Sequence, residues 1–161
     1  MKLVTSISIV VLLAVASIAP AKAHFRDYPR RRKAHIVHRA EWRIGRDYCW
    51  GGTSRCFDCS GLTYKVFYRH GANLPHSTRR QWRARHRDGW RTIQRRRDLQ
   101  RGDLLFFKNT YRDGISHVGI YVGDGKFVHA GDSVQKDSLG NSYWRKHYHA
   151  GVRPRSLRHN T

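Results

Sequence analysis

Acidic residues are scarce in this chain. Eleven Asp and Glu stand against 32 Lys and Arg in 161 residues, for a formal net charge of +21. That balance draws a protein to polyanions such as cell-wall carboxylates and phosphates, anionic lipid or nucleic acid, and says nothing about fold. Cysteine is also sparse: Cys49, Cys56 and Cys59 are the only three. Cys56 and Cys59 form a C-x-x-C, but no second C-x-x-C and no H-x-x-x-H follows to complete a zinc site. The preceding Gly51-Gly52-Thr53-Ser54-Arg55 reads as a loop, where a redox pair of the thioredoxin kind would follow a strand. Long apolar runs are missing except for one, Ile7 to Ile18, which is short of the ~20 residues of a membrane span. Lys2 before it and Ala21-Lys22-Ala23 after it make residues 1–23 a secretory signal peptide, with an uncleaved anchor as the rival reading. No cysteine near the cleavage site offers a lipid attachment point. No repeat and no second domain is visible. The expected organisation is a signal peptide (1–23), a basic flexible leader (24–32) and one domain (33–161), a length sufficient for a real core.

Exported proteins meet an oxidising compartment, and three is an odd number of thiols, so one is expected to stay free. Cys49 with Cys56 is one possible bridge and Cys56 with Cys59 another; the sequence does not choose.

A helix is expected over Lys33 to Ile44, where Ile36, Val37, Ala40 and Ile44 share a face and Gly45 is a stop. A second runs from Cys59 to about His70 on Leu62, Val66 and Phe67, and a third from a Ser77 cap to about His86. Ten arginines lie between Arg79 and Arg101, with Trp82 and Trp90 among them. A solvated helix face plus loop is one reading and a polyanion-binding patch the other. Arginine and tryptophan interleaved could also stack single-stranded nucleic acid, which the signal peptide argues against. Beyond Gly102 the pattern changes to strands: Asp103 to Phe107, Val118 to Val122, Lys126 to Ala130 across the Gly123-Asp124-Gly125 turn, and Val134 to Lys136. Tyr143 to Tyr148 suits a short helix and Val152 to Arg155, with Pro154, a last edge strand. Helices first and an antiparallel sheet second make an α+β architecture.

Cys59 sits after Asp58 at the start of the second helix. Unpaired N–H groups and the positive end of the helix dipole there favour a thiolate, the nucleophilic form of cysteine. The plainer reading is a small buried residue. A thiolate nucleophile needs a base, and the base an orienting partner. Of eleven histidines, His117 opens one strand of the hairpin and His129 closes the other. Counted from the turn they lie at about the same level, where one ring could take the cysteine proton while the other holds its tautomer. Two unrelated strand histidines are the alternative.

The blocks Tyr48-Cys49-Trp50-Gly51-Gly52, Asp58-Cys59-Ser60-Gly61-Leu62, Leu74-Pro75, Gly102-Asp103-Leu104-Leu105-Phe106-Phe107, Ser116-His117-Val118-Gly119-Ile120-Tyr121-Val122-Gly123 and Phe127-Val128-His129-Ala130 stand in this order along the chain. Together they resemble the NlpC family of papain-like cell-wall cysteine peptidases. The resemblance implies a papain-like fold with the nucleophile at a helix start packed on the sheet. It also implies Cys59 as nucleophile, His117 as base and then acid, and His129 as the residue that orients His117. Tyr48 would lie near the oxyanion. Asp58 and Ser60 would hold the amino end of a stem peptide, with a structural N-cap role for Asp58 equally open. Cys56 departs from the family pattern, as does the lack of separate wall-binding repeats, for which the arginine-rich stretch would substitute by charge.

The function expected is that of an exported peptidase hydrolysing stem-peptide or crosslink bonds of peptidoglycan through an acyl-enzyme on Cys59, in the periplasm or at the cell wall. It is expected as a monomer with no cofactor and no metal. Peptidoglycan is the expected partner, together with anionic wall polymers or a lipid surface, and no specific nucleic acid. An amidase or acyltransferase on the same core, a secreted wall-degrading toxin and a cationic binder are the other readings.

Overall fold

The computed structural model describes residues 21–68, 70, 72–87 and 89–157. The apolar run of the expected signal peptide therefore lies outside the described residues, and no helix among the described residues is long and apolar enough to cross a membrane. Helix α1 spans Ala21–Glu41, α2 Cys59–Phe67 and α3 Thr78–Arg87. Strand β1 is Arg91–Ile93, β2 Leu104–Lys108, β3 Ile115–Gly123, β4 Lys126–Ala130 and β5 Val134–Ser138; helix α4 is Ser142–His147 and strand β6 Tyr148–Arg153. The strands form one antiparallel sheet in the order β1-β6-β2-β3-β4-β5. This is the expected α+β layout.

The continuous apolar run of β2 follows from burial on both faces. Leu104 and Phe106 join the main core with Val118, Ile120, Val128 and Val152, on which Leu62, Val66 and Phe67 of α2 and Ile36, Val37 and Ala40 of α1 pack. Leu105 and Phe107 point the other way, into a smaller cluster with Phe127 and Leu139 that Trp144 and Tyr148 border. Helices α1 to α3 thus cover one face, and α4 lies over part of the other.

Residues 24–32 are helical here and not the flexible leader expected. Arg and Lys are good helix formers, and the run continues without a break into the face anchored by Ile36 and Val37. Pro29 does not end the helix, though its missing N–H removes one bond of the ladder. The helix stops at Glu41, and Gly45 follows in the left-handed region at φ 87°.

Strand β6 is longer than expected and is not an edge. It lies between β2 and β1, with Arg91 opposite Arg153 and Ile93 opposite Gly151. The edge is taken by β1, three residues inside the arginine-rich stretch with too little pattern to announce a strand. Arg153 fixes β6 beside β2: its Nε and Nη2 reach Oδ1 and Oδ2 of the fully buried Asp103, each at 2.8 Å. Pro154 sits just past the last ladder bond, where its missing N–H costs nothing.

The two tryptophans of the arginine-rich stretch are anchors. Trp90 is 9% exposed, and Trp82 packs against Phe106 and His149. Arg79, Arg80, Arg83, Arg91, Arg95, Arg96, Arg97 and Arg101 are exposed.

Candidate active site

Helix α2 begins at Cys59 because Asp58 caps it. Asp58 is extended (φ −89°, ψ 174°), and its Oδ1 accepts the Gly61 N–H at 2.6 Å. The same carboxylate accepts from Ser60 Oγ at 2.9 Å and, through Oδ2, from Gly51 N–H at 2.9 Å. His76 Nε2 stands 3.2 Å from both oxygens. Asp58 is therefore the knot between the 48–57 loop, the first turn of α2 and the segment before α3.

The first turn is held from a second side by Gln81 of α3. Its Nε2 donates to the carbonyls of Ser60 (3.0 Å) and Pro75 (2.9 Å), while its Oε1 accepts from Thr63 Oγ1 at 2.9 Å. Gln81 and Thr63 are both fully buried. This network leaves Cys59 on a rigid helix start.

Cys59 is 7% exposed, and its Sγ lies 3.4 Å from Thr78 Oγ1. Burial pushes the thiol up from its ordinary value, outweighing the Thr78 hydroxyl and the N–H groups of Val118 and Ser60, which favour the thiolate. The nearby Asp58 carboxylate adds to the upward push. Burial of the thiol thus works against the helix start, whose N–H groups favour the thiolate.

His117 and His129 are 6% and 1% exposed, and His117 Nε2 lies 2.9 Å from His129 Nδ1. They are not level across the hairpin as counting from the turn suggested. Strand β3 carries an irregularity between Tyr121 and Gly123, and Ile120 stands opposite Val128. His129 is therefore level with Gly119, two residues along from His117 on the same face. The missing side chain at Gly119 makes the diagonal reach possible, since a Cβ there would stand 2.8 Å from Phe127 Cδ2 and 3.2 Å from His129 Cβ.

Two groups at this site were not foreseen. His129 Nε2 lies 3.0 Å from Asp137 Oδ2 on β5. Trp144 of α4 stacks on His117 with centroids 5.4 Å apart and meets His129 edge-on at 4.8 Å. Its Nε1 donates to Asp137 Oδ2 at 2.7 Å. Burial pushes both imidazoles down from their ordinary value, His117 well down with His129 adding to the effect, and His129 less because Asp137 opposes it. For Asp137, burial is outweighed by the donors on its oxygens, led by His129, and the carboxyl lies below its ordinary value.

The bridge in this structure joins Cys49 to Cys56, leaving Cys59 free. It closes the loop that carries Tyr48 and Trp50, which are 40% and 78% exposed. Burial, then the charges of Cys59 and Asp58, raise the Tyr48 phenol, which keeps it an O–H donor.

All six residues singled out in the sequence, Tyr48, Asp58, Cys59, Ser60, His117 and His129, line one open cleft of about 1090 Å³. Thr78, Tyr111 and Trp144 line it as well. Among the described residues no group of three or more His, Cys, Asp or Glu is arranged to hold a metal ion. Chemically the cleft offers a thiol, a buried imidazole pair backed by a carboxylate, and a phenol donor, the set that acyl transfer requires.

The sequence pattern of the NlpC/P60 family matches residues 45–153, which contain every one of these groups. The chain is 37% identical over 121 residues to the probable endopeptidase YafL of Escherichia coli (strain K12), covering 70% of this chain and 46% of that protein. It is 36% identical over 152 residues to the murein DD-endopeptidase MepH of the same organism, covering 89% of this chain and 54% of that one. A crystal structure of a protein similar to lipoprotein, of the NLP/P60 family, from Staphylococcus aureus superposes with a TM-score of 0.67 at 33% identity, over 77% of this chain and 41% of that chain. The chain thus spans about half the length of these relatives.

Proposed function

Because the chain belongs to the NlpC/P60 family of cysteine peptidases, we propose that it hydrolyses peptide bonds of peptidoglycan through an acyl-enzyme on Cys59. The observation that carries this is one cleft lined by a free cysteine at a helix start and by a hydrogen-bonded histidine pair. MepH is named a murein DD-endopeptidase, which supports a stem-peptide or crosslink bond as the target.

In the proposed reaction His117 removes the Cys59 proton as Sγ attacks the amide carbonyl. Tyr48 O–H donates to the oxyanion, a contribution of about 2.7–4 kcal/mol for donors of this kind. The tetrahedral species collapses as the imidazolium of His117 gives its proton to the leaving amine. Water, deprotonated by His117, then attacks the thioester and releases the carboxylate product. His129 holds His117 in orientation. Ser60 and the Asp58 knot line the side of the cleft where a substrate amino end would lie, although Asp58 is already engaged as the cap. We place the protein outside the cytoplasm, delivered by the 1–23 segment, with its exposed arginines against anionic wall polymers or a lipid surface.

The test is release of soluble muropeptides from purified sacculi by the parent protein beside Cys59→Ala. Release that disappears in the variant supports the reading, and the product masses identify the bond. Equal behaviour of the two proteins, or no release by either, overturns it.

A further inference from the structure

We propose that Asp137 is a positioning residue of this site: by accepting from His129 Nε2 it sets the tautomers of both histidines and leaves His117 Nδ1 bare to take the thiol proton. The proposal rests on the reading of Cys59 and His117 given above.

Asp137 Oδ2 receives Trp144 Nε1 at 2.7 Å and Gln135 Nε2 at 3.3 Å, and both of those groups can only donate. An oxygen already accepting from two donor-only groups is an acceptor toward His129 as well, so the proton between them sits on His129 Nε2. A neutral imidazole carries one N–H, so His129 Nδ1 is an acceptor. The 2.9 Å contact with His117 Nε2 must then be donated by His117. His117 in turn has no proton left for Nδ1, the nitrogen not used in the pair. One carboxylate thus fixes two tautomers in series, and the fixed arrangement is the one that can receive a proton from Cys59.

Without the carboxylate, the contact between the two rings fits equally well the mirror arrangement, in which His129 Nδ1–H donates to His117 Nε2 and His117 Nδ1 carries the proton. The mirror form cannot act as a base. Asp137 also matters after proton transfer. The His117 imidazolium then faces a second imidazole in a dry site, and the only hydrogen-bonded negative charge in the chain of contacts is two links away on Asp137.

Register explains the reach. Asp137 stands opposite Phe127 and Gln135 opposite His129, so Asp137 meets His129 diagonally across β4 and β5. Trp144 closes the arrangement from above, contacting both rings and the carboxylate at once.

The tautomers are read directly by long-range ¹H–¹⁵N correlation of the histidine rings in the full chain, with kcat and KM measured on purified sacculi. In the parent protein His117 and His129 should both be Nε2–H forms. Asp137→Ala should mix the two tautomers and lower kcat on the order of 10–100-fold, with KM changed by less than about twofold. Asp137→Asn keeps an oxygen acceptor but loses the charge; it should retain the tautomers and lose less kcat than the alanine variant. An Nδ1–H form of His129 in the parent overturns the proposal without any variant. So does an Asp137→Ala protein that keeps the parent's tautomers or its kcat. If the parent releases nothing from sacculi, the peptidase reading fails, and the ring tautomers still decide the role of Asp137.

Discussion

Gly61 lies directly against Gly52: a Cβ on Gly61 would stand 1.9 Å from the Gly52 carbonyl oxygen. The neighbour is backbone and cannot swing aside. A Cβ on Gly52 would in turn meet Cys49 Sγ at 2.2 Å. These two glycines let the disulfide-closed loop rest on the first turn of α2, which sets Tyr48 across from Cys59. Gly61→Ala should therefore push the loop away, costing about 1–3 kcal/mol of stability as an overpacking change, and should raise KM. Denaturant unfolding and steady-state kinetics check this; unchanged values for both would mean the loop position is not set by this contact.

Reduction should act on the same loop and leave Cys59 alone. With Cys49 and Cys56 bridged, native protein should show one titratable thiol, and activity should need no reductant. The double change Cys49→Ser with Cys56→Ser should lower stability by about 2–3 kcal/mol, from the unfolded-state entropy of so short a loop. A requirement for reductant would mean that Cys59 is the bridged residue in solution.

The acid limb of kcat/KM should lie below the ordinary histidine value of 6.5, because burial holds His117 and His129 neutral to lower pH. Cys59, displaced upward, stays a thiol across that range, and Asp137, displaced downward, stays charged until lower pH. The sign for stability follows from the same displacement. Below about 6.5 the histidines of the unfolded chain take up protons that these two refuse when folded. Their contribution therefore makes stability fall as pH drops through that value. An acid limb at or above 6.5 would contradict the burial of the pair.

Retention on sacculi should weaken steadily as salt rises, since the exposed arginines of α3 and the segment after it act through a field whose range shrinks from ~10 Å at 0.1 M to ~3 Å at 1 M. Arg80→Gln with Arg83→Gln should weaken retention further while leaving hydrolysis of a small soluble muropeptide unchanged. Salt-independent retention would point to the cleft itself as the binding surface.

The sequence carried the cysteine at the helix start, the histidine pair and the hairpin because each depends on local chemistry: a capping Asp58 before an apolar helix, and glycines around Asp124. What it concealed depends on register. The offset of His117 from His129 is set by the pairing of Gly123 with Lys126 across the Asp124-Gly125 turn, and one irregularity near Val122 moves His129 from the level of Ile120 to that of Gly119. Asp137 reads as an ordinary polar residue of β5, and only the diagonal across β4 brings it to His129. The strand expected from the sequence ends at Lys136, one residue short of Asp137, whereas β5 runs on to Ser138. Trp144 gave no signal, since nothing in a six-residue helix says which face of the sheet it will cover. Strand β6 was mistaken for an edge because Pro154 suggested one, while its true outer neighbour β1 hides among arginines.

The two-sided burial of β2 has a price during synthesis. Leu104-Leu105-Phe106-Phe107 has high strand propensity and no charge, the composition of a segment that pairs with other copies when left open. One of its edges is closed promptly by β3, which follows in the chain, but the other waits for β6. Until residues 148–153 have emerged, the stickiest strand of the protein presents an unpaired edge. A chain truncated before Tyr148 should therefore aggregate rather than fold partially, and holding the chain unfolded until it is complete protects it.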